Sequence, residues 1–375
     1  MTAASQRPTR ILVDLDALSH NLAAIRARVR VPVMGIVKAN AYGHGLVPVA
    51  LHLQAQGIDQ LGVAFLEEGL ALRQAGIQLP ILVLGGIFGP QAAEFIANDL
   101  EITVSSLDKL RQVEAAAESL GRKATVHLKI DTGMERIGVH GYSAGPFIEA
   151  AVASRWCAVK GVYSHLACAD DPGSPMTALQ VERFADACAH FDRLGAPMPL
   201  RHLANSGGVL HFPGTWLDMV RPGILLYGVQ PDPAALRTVE VRPVLSLLSQ
   251  VVYFKVVQAG NPVSYGATWA PERDTRVVTI PIGYGDGYPR ALSSRGSVLI
   301  HGRRYPIIGR ICMDQLMVDI GQDSAWNEDE VVLVGGQGGE GISVEALAAT
   351  ADTIPYAVLT GLAERIPRQY HPTGS

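Results

Sequence analysis

Cysteine is scarce in this sequence, and the cysteines that are present show no paired spacing. The 4 cysteines are Cys157, Cys168, Cys188 and Cys312, and they form no C-x-x-C motif. This distribution argues against a disulfide scaffold and against a zinc ribbon, and it fits a reducing compartment. We therefore expect a cytoplasmic protein that binds no metal.

Long hydrophobic runs and clusters of one charge sign are also missing. No apolar stretch reaches the roughly 20 residues of a membrane-spanning helix, and residues 1–10 lack the apolar centre of a signal peptide. Lysine and arginine form no cluster, and the net charge is −4. A nucleic-acid surface is normally basic. We therefore expect neither a membrane nor a nucleic acid as partner, and a small molecule as substrate.

The sequence has no dinucleotide-binding fingerprint. Its glycine-rich candidates are G-G-I-F-G near Gly85 and G-G-Q-G-G near Gly335. Neither forms a G-x-G-x-x-G turn between a strand and a helix with an acidic residue after it. This argues against a doubly wound α/β sheet, which remains the competing fold.

The amino-terminal part shows short apolar runs that alternate with amphipathic helical segments. The length of 375 residues is sufficient for two domains. Asp16 is the expected N-cap of the first helix. The alternation predicts a (β/α)₈ TIM-like barrel over residues 1–238. The eight predicted barrel strands are Val33–Val37, Leu61–Val63, Ile81–Leu84, Ile102–Val104, Thr125–Ile130, Val159–Tyr163, His202–Leu203 and Met219–Val220.

The pattern changes from about Val239, after the sequence Pro231-Asp232-Pro233, which we interpret as a linker. Short β-type runs then follow one another with glycine, proline or charged residues between them, beginning with a long run over Val241–Lys255. Helical spacing returns only near Val344–Ala351 and Pro355–Leu362. We therefore expect a mainly β carboxyl-terminal domain over residues 239–375.

Lys38 stands at the carboxyl end of a predicted buried strand, within the run V-M-G-I-V-K-A-N-A-Y-G-H-G. Barrels place their chemistry at this end of the strands. A poorly solvated ammonium has a lowered pKa, and the neutral amine can attack an aldehyde to form a Schiff base. The alternative is a lysine whose head reaches solvent from the strand end.

Further polar residues follow other predicted barrel strands, which favours a site at one end of the barrel. They are Lys129, His165, Asn205-Ser206 and Arg221-Pro222-Gly223. Ser206 begins a predicted helix, and the glycines after it leave backbone amides free to hold a phosphate. Ser206 can equally be a helix N-cap. Gly223 and Ile224 add two further backbone amides.

The nine residues Val37 to Gly45 resemble the signature of the fold-type III pyridoxal 5'-phosphate (PLP) enzymes, and most closely that of the alanine racemase family. The resemblance implies that Lys38 carries PLP and that Arg221 donates to its pyridine nitrogen, with His165 hydrogen-bonded to Arg221. A structural ion pair explains Arg221 equally well without the resemblance. The implied phosphate contacts are Tyr42, Ser206, Gly223, Ile224 and Tyr356, and Asn205 is a further expected cofactor-binding residue.

The same resemblance assigns roles in the reaction. Arg136, in D-T-G-M-E-R, matches the arginine that reaches the PLP phenolic oxygen and the substrate carboxylate, and Lys129 matches a lysine that is carbamylated in many members. Tyr265, in V-S-Y-G, resembles the second catalytic base. The Met313 backbone amide, in I-C-M-D, resembles the group that receives the substrate carboxylate. In the family both segments reach the partner's site, which implies a homodimer with composite active sites.

The resemblance implies a two-base interconversion of L-alanine and D-alanine, which supplies D-alanine for peptidoglycan or serves alanine catabolism. Lys38 would act on the proton of D-alanine and Tyr265 on that of L-alanine. A bulky Tyr356 favours alanine over larger amino acids. The alternatives are a racemase of broader specificity, a non-catalytic PLP carrier, a decarboxylase of the same fold type, and a barrel without cofactor. The β domain and the V-S-Y-G motif argue against the carrier.

Overall fold

The protein folds around two β-sheets, a parallel sheet followed by a mainly antiparallel one. This computed structural model describes residues 7–232 and 238–371. Pro233 of the predicted linker and the first six residues lie outside the described residues. No helix within the described ranges is both long and apolar enough to cross a membrane.

The first sheet has the parallel order expected of a barrel. Seven strands pair in the sequence β2-β3-β4-β5-β6-β8-β9, and the short β7 (Val139–His140) pairs with β6. The segment 219–220 bridges both edge strands, because Val220 pairs with Val33 and Met219 pairs with His202. The seven strands are β2 Met34–Ile36, β3 Gln60–Val63, β4 Ile81–Val83, β5 Leu100–Val104, β6 Ala124–Asp131, β8 Cys157–Tyr163 and β9 Leu200–His202.

Helices follow these strands and cover the sheet. Most strand residues are buried, since a parallel sheet is enclosed on both faces. The confirmed fold class is therefore α/β, with a TIM-like barrel and a mainly β second part. The helices of the first part are Leu15–Val29, Leu46–Ala55, Leu66–Gln74, Ala92–Ala97, Leu107–Leu120, Ala144–Ala153, Met176–Arg193 and Ser206–His211.

The second sheet has the order β11-β12-β15-β14-β13-β16-β10-β1-β18, with β17 beside β16. The first strand of the chain, β1 (Arg10–Asp14), lies in this sheet, antiparallel to β10 and parallel to β18. The division between residues 238 and 239 stays a prediction. The other strands are β10 Leu245–Gln250, β11 Tyr253–Val257, β12 Thr275–Ile280, β13 Ser297–Ile300, β14 Arg303–Ile308, β15 Leu316–Gly321, β16 Glu330–Gln337, β17 Glu340–Ile342 and β18 Arg368–His371, and the helices are Val344–Thr350 and Pro355–Gly361.

One local prediction was wrong. The N-cap of the first helix is Asp14 and not Asp16, because the helix begins at Leu15, directly after β1, and the Asp14 carboxylate accepts from the Ala17 amide at 2.9 Å. The β-rich run predicted over Val241–Lys255 contains β10 and the beginning of β11.

Asn21 joins the barrel to the beginning of the second sheet. Its fully buried side chain donates to the carbonyls of Leu226, at 3.0 Å, and Arg242, at 2.8 Å. Its oxygen accepts from the Arg242 amide at 2.7 Å. Three backbone groups are therefore satisfied by one buried side chain.

Replacing Asn21 by alanine leaves these backbone groups without partners, so we expect Asn21→Ala to destabilise the protein by roughly 3 kcal/mol. Thermal unfolding monitored by circular dichroism measures this loss. Asn98→Ala is the matched control, because the exposed Asn98 side chain makes one hydrogen bond, to Glu94. Equal midpoints for the two variants would contradict this role of Asn21.

Candidate active site

A cavity of about 570 Å³ opens at the carboxyl ends of the barrel strands. Four cationic side chains line it, and no carboxylate does so among the described residues. The lining includes eleven of the residues predicted from the sequence: Lys38, Tyr42, Lys129, Arg136, His165, Asn205, Ser206, Arg221, Gly223, Ile224 and Tyr356. Such an excess of positive charge suits an anionic ligand.

Lys38 is held by an unusual left-handed turn. The four residues after it have φ angles of 52–54°, and Gly43 continues the turn with φ 81°. The left-handed region costs a residue with a Cβ about 1–2 kcal/mol. Glu68 holds the turn, because its carboxylate accepts from the amides of Ala39 at 2.6 Å and Ala64 at 2.7 Å. Strain of this kind persists where surrounding contacts impose it, and it is typical of functional sites.

The surroundings of Lys38 favour its neutral form. Burial lowers the pKa of the Lys38 amine, and the positive charges of Arg136 and Arg221 lower it further. The Glu68 carboxylate opposes part of this shift. A larger fraction of the amine is therefore available as a nucleophile near neutral pH.

Arg221 is buried at the base of the cavity and is held from several sides. Its Nη2 donates to the carbonyls of Ser164 at 2.7 Å and Leu203 at 3.2 Å, and lies 3.5 Å from His165 Nδ1. Its Nη1 lies 3.1 Å from His202 Nδ1. Burial lowers the pKa of Arg221 to about 10, so the guanidinium remains protonated at neutral pH.

Lys129 lies next to these cations on β6. Its Nζ lies 4.4 Å from the centre of the Tyr163 ring. Burial lowers the pKa of Lys129 well below its ordinary value, and Arg221 and Arg136 add to this effect. Burial and the neighbouring cations also lower the pKa of His165 well below its ordinary value, so this imidazole is neutral.

Asp131 shapes the loop that carries Arg136. Its carboxylate accepts from four successive backbone amides, those of residues 133–136, at 2.8–3.2 Å. Burial opposes ionisation of Asp131, but these backbone hydrogen bonds outweigh burial and lower its pKa. The loop is therefore fixed by one ionised side chain, and Arg136 enters the cavity from it.

Hydroxyl groups and backbone amides gather at one end of the cavity. Ser206 Oγ accepts from the amides of Gly223 at 3.0 Å and Leu225 at 3.3 Å. The rings of Tyr42 and Tyr356 lie 6.1 Å apart. A Cβ at Gly223 would lie 2.3 Å from the Tyr42 hydroxyl, so only glycine allows this approach. Asn205, and not Ser206, is the N-cap of helix Ser206–His211.

Tyr265 and Met313 do not line this cavity. Both lie on the second part of the chain and are exposed, Tyr265 at 69% and Met313 at 54%. Positive φ angles flank Tyr265, at Ser264 and Gly266. Tyr265 and Cys312 line a second, open cavity, so the two predicted segments lie beside each other. An exposed aromatic residue on a strained turn is typical of a contact site.

Sequence reasoning missed several buried polar residues of the barrel interior: Glu101, Thr103, Tyr163 and His202. Polar residues at every second position of β5 and β6, in E-I-T and H-L-K, were the signal that could have revealed Glu101 and Thr103. Within residues 7–232 and 238–371, no group of three or more histidine, cysteine or acidic side chains is arranged to hold a metal ion.

Comparison with known proteins identifies the family. Residues 13–231 match the family model "Alanine racemase, N-terminal domain", and residues 244–370 match "Alanine racemase, C-terminal domain". The alanine racemase of Symbiobacterium thermophilum is 43% identical, with 97% of each chain covered.

Solved structures agree with the sequence comparison. The crystal structure of alanine racemase from D-cycloserine producing Streptomyces lavendulae superposes with a TM-score of 0.95 at 40% identity, over 98% of each chain. Alanine racemase from Bartonella henselae, described with covalently bound pyridoxal phosphate, gives 0.89 at 28% identity, over 98% of this chain and all of the other. The chain described here therefore belongs to the alanine racemase family.

Proposed function

We propose that this protein is a PLP-dependent isomerase that interconverts L-alanine and D-alanine. The observation that carries the proposal is the cavity with a desolvated lysine, three further cations and no carboxylate among the described residues. Membership of the alanine racemase family supports the same reaction. We further propose a barrel domain over residues 1–238, whose first strand β1 joins the second sheet, and a β domain over residues 239–375.

The residues in the cavity fit PLP. The cofactor has an aldehyde, a phosphate and a pyridine nitrogen, and the cavity offers a matching group for each. Lys38 would hold the aldehyde carbon, and Arg221 would donate to the ring nitrogen. The phosphate would be held by the hydroxyls and amides of Tyr42, Ser206, Gly223, Ile224 and Tyr356, with Asn205 as a further cofactor-binding residue. The cradle that excludes a Cβ at Gly223 supports this assignment.

PLP bound in this way supplies an electron sink that makes the α-proton of an amino acid acidic. Arg221 limits that sink, because a guanidinium that keeps its proton does not transfer it to the ring nitrogen. This arrangement favours return of the proton to the α-carbon over side reactions such as transamination. His165 supports Arg221 through the contact between Nδ1 and Nη2.

Two bases on opposite faces of the substrate would move the proton. Lys38 Nζ would exchange the α-proton of D-alanine, and the Tyr265 hydroxyl would exchange that of L-alanine. Arg136 and the Met313 amide would hold the carboxylate, which orients the α-carbon between the bases. With two bases, the substrate does not need to rotate between removal of the proton and its return.

We propose that Tyr265 and Met313 come from a partner chain in a homodimer. Both are exposed and lie outside the cavity that holds Lys38, so a composite site needs a second chain. In a two-fold dimer each chain would complete the site of the other, giving two equivalent sites.

We propose alanine as the preferred substrate, because Tyr356 lies beside the cavity and narrows it. We place the enzyme in the cytoplasm, where it supplies D-alanine for peptidoglycan or takes part in alanine catabolism. The first assay below distinguishes this proposal from its two alternatives, a racemase of broader specificity and a non-catalytic PLP carrier.

The first test follows conversion of L-alanine through D-amino-acid oxidase, with and without added PLP. Lys38→Ala should lower the rate at least about 10³-fold, because it removes both a base and the group that holds the cofactor, and should abolish the visible absorbance of bound PLP. Lys123→Ala, on an exposed lysine, is the control and should retain both.

Each outcome of this assay separates the candidates. Comparable turnover of serine, lysine and arginine would favour the broader racemase. Visible absorbance without any turnover would favour the carrier. An active Lys38→Ala variant would refute the assignment of Lys38.

The second test concerns the composite site. A Lys38→Ala chain and a Tyr265→Ala chain are co-expressed with different tags, and the doubly tagged dimer is purified. One intact site per dimer should restore about half of the wild-type activity, since each chain lends the residue that the other lacks. Both homodimeric variants serve as controls. A heterodimer as inactive as these controls would show that each site lies within one chain.

The third test concerns Lys129. A neutral amine reacts with carbon dioxide to give a carbamate with loss of one proton, and the lowered pKa of Lys129 favours this neutral form. The resulting anion would brace Arg136. We expect native mass spectrometry to show one added CO₂ per chain, absent from Lys129→Ala. A wild-type mass without this addition, together with no ¹³C carbamate signal in labelled bicarbonate, would contradict the modification.

A further inference from the structure

A row of buried polar side chains leads away from Arg221 through the barrel interior. Arg221 Nη1 lies 3.1 Å from His202 Nδ1, and His202 Nε2 lies 2.8 Å from His127 Nδ1. His127 Nε2 lies 2.8 Å from Glu101 Oε2. Both histidines are fully buried, and Glu101 is 6% exposed. We call these four residues the arginine–carboxylate chain.

The direction of the three hydrogen bonds follows from donor chemistry. A guanidinium only donates, so His202 Nδ1 must accept. Burial lowers the pKa of both histidines, so each is neutral and carries one ring proton. His202 then carries its proton on Nε2 and donates to His127 Nδ1, and His127 donates from Nε2 to Glu101. All three hydrogen bonds therefore point from the guanidinium towards the carboxylate.

Glu101 is built to stay ionised. Burial opposes its ionisation, but hydrogen bonds from His127 and Lys160 outweigh burial and lower its pKa. Gln60 donates to the same carboxylate at 2.7 Å. The register of β6 and β8 shifts at Lys160, which is an extra residue of β8 without a partner on β6. The Lys160 side chain is one-third exposed. The arginine–carboxylate chain therefore runs from Glu101, which pairs with Lys160 near the surface, to Arg221 at the cavity.

Close packing holds the two histidines in place. Gly161 pairs with His127 across β6 and β8, and a Cβ at Gly161 would lie 2.2 Å from His127 Nδ1. The Tyr163 ring stacks on His202 at 4.7 Å with 7° between the planes. Neither imidazole has room to turn, so the proton positions decide what His202 offers to Arg221.

We propose that Glu101 and His127 are positioning residues for the reaction: they hold His202 as the Nε2–H tautomer, so that its Nδ1 orients Arg221 towards the cofactor ring. The opposite tautomer would present an N–H to the guanidinium, and the two donors would repel. The proposal rests on the proposed function, because it assigns Arg221 to the cofactor. The proposal also explains why the carboxylate that compensates the charge of Arg221 is separated from it by two imidazoles. A carboxylate in direct contact with Arg221 would occupy the N–H groups that the cofactor ring needs.

Glu101→Gln tests the proposal with little change of shape. Lys160 should attract the amide oxygen, which leaves the NH₂ group facing His127 Nε2. That nitrogen must then accept, and both histidines change to their Nδ1–H tautomers. The readout is the ¹⁵N and imidazole N–H spectrum of ¹⁵N-histidine-labelled protein without added PLP, assigned with His127→Asn and His202→Asn.

The wild type should show both histidines as Nε2–H, and Glu101→Gln should show both as Nδ1–H. With PLP, kcat should fall about 10-fold, as expected for a partner of a functional histidine, while KM changes less than about 2-fold. Gln60→Leu is the matched control, because it removes a neutral donor from the same carboxylate and keeps its charge. This control should retain the wild-type tautomers and kcat.

A second variant guards against failure of Glu101→Gln to fold. Lys160→Met removes the exposed partner and should raise the pKa of Glu101, whose remaining charged or titratable neighbours are His127 and Arg73. If activity needs ionised Glu101, the acidic limb of the kcat–pH profile moves to higher pH. An unchanged profile would overturn the proposal.

Three other results would each overturn the proposal. They are Nδ1–H histidines in the wild type, unchanged tautomers in Glu101→Gln, and reversed tautomers with an undiminished kcat. A wild type with the expected tautomers but no racemisation would instead refute the proposed function, while the direction of the hydrogen bonds would stand.

Discussion

Positive charge collected in a cavity that no carboxylate of residues 7–232 or 238–371 lines is the constraint on which the rest of this structure depends. Burying a charge without a partner is strongly unfavourable. The protein reduces this penalty by lowering the pKa of two lysines and one histidine, so that these groups carry less charge. Arg221 keeps its charge, and its compensating carboxylate, Glu101, lies at the far end of two imidazoles.

The same constraint explains where the backbone is strained. The left-handed residues after Lys38 keep the amine at the cavity, and Glu68, on helix Leu66–Gln74, holds the turn through the Ala39 amide. The turn at Tyr265 is strained in a similar way. Both turns are attached to well-packed sheets, whose buried strands stabilise the fold enough to tolerate local strain.

The distribution of groups between the two parts of the chain gives the site its proposed dimeric character. The barrel carries the cations and the cradle, while Tyr265 and Met313 lie exposed on the other part. A base that arrives from a second chain can face Lys38 across the substrate. A second base from the barrel itself would lie on the same side of the substrate as Lys38, among the other cations. The proposed separation therefore follows from the need for two opposite faces.

The sequence by itself determined the fold class, because alternating apolar runs and helical segments require a parallel sheet enclosed by helices. It also placed Lys38, His165, Asn205 and Arg221 after four different predicted strands, and the ends of parallel strands meet at one edge. Only the tertiary structure decided that Asp14 caps the first helix, that β1 joins the second sheet, and that His127 and His202 connect Arg221 to Glu101. These contacts join residues far apart in the chain, and hydrogen-bond direction depends on distances and burial that periodicity does not encode.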